Sequence, residues 1–154
     1  MHMLLNEKET QAIKDLQTQE QTCREKYRQY SEKAKDPVLK NLFSKLEQKE
    51  QEHYDSLGQV LSGTVPSVDC NDADGRDYAP KATYADCMNA EDKTHDCFLA
   101  TDCIGTEKLV SGEYNNDVFN FADSDVRKLL GDIQIEEQNH AEMLYKYKTV
   151  NKMQ

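Results

Sequence analysis

No stretch of the chain stays apolar for the roughly 18 residues that a membrane-spanning helix needs, so none of its 154 residues is expected to cross a bilayer. None of the five cysteines forms a Cys-x-x-Cys pair, which excludes a zinc ribbon or a rubredoxin-type knuckle. Their odd number argues against a disulfide scaffold and for small apolar side chains or free thiols, with a Cys70–Cys87 crosslink as the one pairing left open. Basic residues are outnumbered 19 to 29, giving a formal net charge of −10, the wrong sign for a general binder of nucleic acid. There is no hydrolase triad, no phosphate-cradling glycine loop and no nucleotide fingerprint. The opening Met-His-Met-Leu-Leu-Asn-Glu is too short and polar for a signal peptide, so a cytoplasmic protein is expected. There are only three prolines and six glycines, and Pro66, Gly75 and Pro80 share one central stretch. Long helices can form on either side of it.

The flanks carry the pattern of long amphipathic helices, as a composition of 31% charged and 37% hydrophobic residues suggests. Asn6, with Glu9 three residues on, reads as a capping box. An apolar stripe follows through Ile13, Leu16, Cys23, Tyr27, Tyr30 and Ala34. Asp36-Pro37 is a cap followed by proline at the first helical position. The second helix carries Leu39, Leu42, Phe43, Leu46, Leu57, Val60 and Leu61 and stops near Ser62-Gly63. With almost no loop between them, the two helices form an antiparallel hairpin over 6–62. Residues 63–89 form a long crossover. A third helix is expected over 90–121 and a fourth over 124–148, completing a second hairpin within a single domain, 1–154. The fold class is therefore all-α, an antiparallel four-helix bundle of two hairpins.

The hairpins repeat at an offset of 87 residues. Glu20 maps to Glu107, Tyr27 to Tyr114, Asp36 to Asp123, Glu50 to Glu137, His53 to His140 and Leu57 to Leu144. The polar residues that chemistry would need are identical, whereas core positions such as Phe43 and Leu130 keep only apolar character. Glu50-x-x-His53 and Glu137-x-x-His140 each put two ligands on one helix face. Counted from the turn at Asp36, Glu20, Glu50 and His53 all lie roughly 21–26 Å along their helices, hence at one height. Glu107, Glu137 and His140 stand in the same relation to Asp123. Six unpaired ionisable groups in a core would be prohibitive, because each buried charge costs several kcal/mol. Two divalent cations remove the problem, and a Glu from two helices with Glu-x-x-His from the other two is the ligand set of di-iron and di-manganese bundles. Oxygen and nitrogen donors suit two iron ions or manganese, with zinc as a redox-silent alternative.

This pattern, Glu20, Tyr27 and Glu50-x-x-His53 repeated as Glu107, Tyr114 and Glu137-x-x-His140, resembles the erythrin domain of rubrerythrins in the ferritin-like superfamily. The resemblance implies bridging roles for Glu50 and Glu137 and terminal ligation by Glu20, Glu107, His53 and His140. It also implies hydrogen bonds from Tyr27 and Tyr114 to ligand carboxylates. The implied activity is reduction of peroxide or O₂, or oxidation of ferrous iron, at the metals alone. An external electron donor is required, since the rubredoxin knuckle of true rubrerythrins is missing. The second half, from Thr106-Glu107-Lys108 through Glu113-Tyr114-Asn115 and Ser124-Asp125-Val126-Arg127 to the His140 helix, is also similar to the coat F family of bacterial spore coat proteins. That likeness implies a structural role in the spore coat, with the metal site a staple or relic. Iron storage would need a hollow shell.

A homodimer or higher oligomer is expected, with Tyr145 and Tyr147 as packing or dimer contacts. His2 and His95 are expected at the surface, and Glu47, Glu52, Glu136 and Glu142 on the solvated face.

Overall fold

The computed structural model describes residues 5–67, 73–85 and 90–153. Every regular element among them is helical: α1 Glu7–Lys33, α2 Pro37–Leu61, a short α3 Ala73–Asp77, α4 Ala90–Asp117 and α5 Ser124–Val150. None is long and apolar enough to cross a membrane.

Local chemistry sets the ends. Asn6 Oδ1 accepts from Glu9 N at 2.7 Å while Glu9 Oε1 accepts from Asn6 N at 3.0 Å, so the box is reciprocal. Asp36 caps α2 through Val38 N at 3.0 Å, and Asp123 caps α5 through Asp125 N at 2.8 Å and Val126 N at 3.0 Å. After α2 the chain reverses at Gly63, whose φ of 96° is open to glycine at little cost. The expected third helix is shorter than 90–121. It leaves α geometry at Asp117 and tightens into a 3-10 turn, Val118–Asn120. That turn lets Phe121 enter the core, and Arg127 Nη1 satisfies the Phe121 and Ala122 carbonyls at 2.9 and 2.7 Å. At its other end α5 runs two residues past the expected 148.

α1 packs along α2 and α4 along α5, and the pairs meet through α1 with α4 and α2 with α5. The apolar interior is divided in two. One cluster gathers around Phe43, Leu46, Cys103 and Leu144, the other around Ile13, Leu57, Leu130 and Ile133. Fully burying such a side chain contributes roughly 1.5–3 kcal/mol. Between the clusters lies a polar layer.

The crossover lies along α5. Gly75 N donates to Asn139 Oδ1 at 3.2 Å, and Lys146 Nζ donates to the Gly75 and Arg76 carbonyls at 2.7 Å each. The approach is close: a Cβ on Gly75 would sit 2.6 Å from Asn139 Oδ1. Further on, Thr83 N and Tyr84 N donate to Asn151 Oδ1 at 2.8 and 3.0 Å. Cys70, Cys87 and His2 lie outside the described residues, while Cys23 and Cys103 are buried free thiols.

A second buried polar cluster clamps the α1–α2 turn. Asp96, fully buried, accepts from Lys35 N and Asp36 N at 2.9 Å each and from Tyr84 OH at 2.5 Å. Tyr147 OH donates to Asp36 Oδ2 at 2.6 Å, and Thr83 Oγ1 donates to the same oxygen. Tyr147 is thus a buried contact within the chain, whereas Tyr145 is 65% exposed. His95 is half-buried rather than free at the surface, its Nδ1 lying 3.1 Å from Asp96 Oδ1. Asp96→Ala strands the buried Asp36 N–H and the buried end of the Tyr84 and Lys35 contacts, a buried unsatisfied group costing about 1–3 kcal/mol. The expected loss is about 3 kcal/mol in urea unfolding with an unchanged slope; a loss below about 0.5 kcal/mol would show that the clamp carries no load.

Candidate metal centre

All six residues of the repeated pattern meet in the polar layer. Glu20 from α1, Glu50 and His53 from α2, Glu107 from α4, and Glu137 and His140 from α5 are each no more than 3% exposed. They fall into two groups whose ligand atoms lie within 4.8 Å of one another: Glu20, Glu50, His53 and Glu137, and Glu50, Glu107, Glu137 and His140. Glu50 and Glu137 belong to both. The position common to two sites is the one a bridging carboxylate occupies.

Both imidazoles turn Nδ1 inward. His53 Nδ1 lies 2.7 Å from Glu137 Oε1, 3.4 Å from Glu20 Oε2 and 3.6 Å from Glu50 Oε1. His140 Nδ1 lies 3.0 Å from both Glu50 Oε1 and Glu107 Oε2. The rings stack at 5.9 Å with 15° between their planes. His140 Nδ1 and Glu107 Oε2 form one hydrogen bond, but most of the other inward atoms form none. His53 Nδ1, Glu20 Oε2, Glu107 Oε1 and both oxygens of Glu50 and of Glu137 are buried with no hydrogen-bond partner, the 2.7 Å approach being misdirected for one. A core rarely tolerates even one such group. Inward-facing, unpaired oxygen and nitrogen donors fit a pair of divalent cations.

The two tyrosines of the repeat differ. Tyr114 OH donates to Glu20 Oε1 at 2.7 Å, across the hairpin boundary. The Tyr27 hydroxyl is buried without a partner, so it does not make the expected bond. Glu136, expected on the solvated face, is instead 7% exposed, with Oε1 2.9 Å from His53 Nε2. Its position was legible: it follows Ile133 by three residues, on the stripe that buries α5. Glu52 is exposed, Glu47 is half-buried, and Glu142 pairs with Lys146 at 3.3 Å.

Without cations the layer settles its charge by moving protons. Burial raises the Glu50 and Glu107 carboxyls well above the ordinary range, with the charge of Glu137 adding to it. Glu20 is raised for the same reasons. Glu137 is the exception: burial is outweighed by the closeness and charge of His53, 2.7 Å away, with His140 adding to it, and it falls to about 2. His53 is raised, because the surrounding carboxylates, Glu20 foremost, overcome its burial. His140 is pushed down to about 4 by burial and by the charge on His53. Proton uptake by the raised groups thus offsets charge that two divalent ions could balance with four carboxylates and two imidazoles.

Residues 95–151 match the Coat F domain family, which covers most of α4 and all of α5. The match therefore takes in Glu107, Glu137 and His140, and also Asp96, Tyr147 and Asn151 of the clamp. No ferritin-like or rubrerythrin family matches. Searches of curated proteins and of solved structures find no match.

Proposed function

We propose that this is a spore-coat-type protein built as a single ferritin-like four-helix domain. At its centre two divalent transition-metal ions are held by Glu20, Glu50, His53, Glu107, Glu137 and His140. The coat assignment is supported by the Coat F match over the second hairpin. The metal assignment is carried by one observation: two overlapping ligand groups share Glu50 and Glu137, all four of whose carboxylate oxygens are buried without a hydrogen bond. The ions tie all four long helices together at mid-height and neutralise the carboxylates, so the site acts as a staple. Phe98, Leu109, Phe119 and Tyr145, 65–85% exposed, support self-association or packing among other coat components.

A second reading is rubrerythrin-like redox chemistry, favoured by a donor set of carboxylate and imidazole without thiolate, which suits iron or manganese. Bound iron would supply electrons to peroxide or O₂, replenished by an external donor. The chain's own residues would exclude water, balance charge and orient Glu20 through Tyr114.

The test is metal content after anaerobic loading with Fe(II) or Mn(II) and desalting, followed by peroxide addition. About two ions per chain are expected. Loss of peroxide at more than one equivalent per site, with a reductant present, selects the redox reading; intact peroxide selects the staple. Less than about 0.2 ions per chain with both metals would reject the metal centre.

A further inference from the structure

We propose that Glu136 is a positioning residue that makes the two metal positions unequal, so that the position bounded by Glu20, Glu50, His53 and Glu137 fills first. The inference rests on the two-metal reading above. It comes from a break in the repeat. At an offset of 87 every ligand pairs with its own kind, but Glu136 pairs with Lys49.

Glu136 Oε1 takes the outer nitrogen of His53 at 2.9 Å, and both groups are buried. An imidazole that ligates through one nitrogen must keep its proton on the other. A carboxylate at that outer nitrogen fixes the tautomer and the ring angle and makes the inner nitrogen a better donor. His53 Nδ1 is thereby presented to Glu20, Glu50 and Glu137. Among the described residues no carboxylate hydrogen-bonds the outer nitrogen of His140. Lys49 has three N–H donors and no acceptor, so it cannot receive the His140 ring proton. It lines the same cavity as His140, a space of about 10 Å³ with room for about one water that Glu136 and Asp74 also line, and it pairs with Glu52 at 3.4 Å. Its cation disfavours a second cation there by Coulomb repulsion, offset in part by these carboxylates. Tautomer control at His53 therefore carries most of the difference between the two positions.

Metal-free protein titrated with Co²⁺ tests this by calorimetry and by proton NMR of the paramagnetically shifted ring N–H signals. The first equivalent should bind at least about tenfold more tightly than the second, and one ring N–H signal should grow in before the other. Glu136→Gln should weaken the first equivalent by roughly 10–100-fold, the usual cost of losing an outer-shell carboxylate. It should also move that first ring N–H signal while leaving the second in place. Lys49→Gln should tighten the second equivalent and leave the first unchanged. Two equivalents of equal affinity in the parent protein overturn the inference and leave the two-metal reading standing. So does a separation that Glu136→Gln does not alter. Should Glu136→Gln lose its helical circular dichroism, Lys49→Gln decides, and an unchanged second affinity overturns the proposal. No binding of Co²⁺ at all removes the two-metal reading itself.

Discussion

Glu50→Gln is expected to abolish stable binding of both ions and, at the same time, to make the metal-free protein more stable at pH 8. The two effects have one cause. Glu50 belongs to both ligand groups, so its loss takes a donor from each position. In the metal-free chain it is fully buried, both its oxygens lack hydrogen bonds, and burial with the charges of Glu137, Glu20 and Glu107 disfavours its ionisation. A neutral isostere removes that burden. Replacing ill-satisfied buried ionisable groups stabilises by about 1–4 kcal/mol. For a chain of this size that is an upward shift of roughly 3–12 °C in Tm. Metal loading should raise the parent Tm and leave the variant unmoved. A variant that loses stability in the metal-free state would show that Glu50 serves the fold rather than a ligand.

Raising the pH from 6.5 to 8 should destabilise the metal-free protein and tighten its hold on metal. Glu20, Glu50, Glu107 and His53 all have folded-state values above their ordinary ones. Such groups favour the folded state fully below their ordinary pKa and lose that contribution as pH rises through the raised value. Of the two groups shifted the other way, Glu137 does not act in this window and His140 opposes the trend weakly, only near its lower edge. Glu137, at about 2, and His140, at about 4, contribute above their ordinary values of 4.5 and 6.5 and lose that contribution only on acidification. Metal must displace the protons that the raised groups hold, so its binding releases protons and strengthens with pH. Urea unfolding of metal-free and loaded protein at both pH values checks the sign. Stability of the metal-free protein that rises between pH 6.5 and 8 would contradict the assigned protonation pattern.

Much of the architecture was legible because it is periodic or local. The caps at Asn6, Asp36 and Asp123 signal their own helix starts, and the offset of 87 aligns two hairpins without a gap. The same offset singled out the six residues that meet in the polar layer. What was not legible depends on single long-range partners. Asp96 holds the α1–α2 turn from sixty residues away, and Asn151 receives a crossover segment that has no periodicity of its own. Both Asp96 and Glu136 do occupy stripe positions, Asp96 three residues before Leu99 and Glu136 three after Ile133. An acidic residue on an apolar stripe was the available signal. The 3-10 turn after Asp117 escaped because the apolar character of Val118 and Phe121 continues the helical pattern while the geometry tightens. The unequal tyrosines could not be told apart by type and spacing, since Tyr27 and Tyr114 are identical in both.

The most direct test of the metal centre is anomalous diffraction from crystals grown with Mn²⁺, collected at the manganese edge. Two peaks per chain are predicted within the layer bounded by Glu20, Glu50, His53, Glu107, Glu137 and His140, with Glu50 and Glu137 next to both. Ordered crystals whose anomalous density is absent from that layer, or lies elsewhere on the chain, would contradict it.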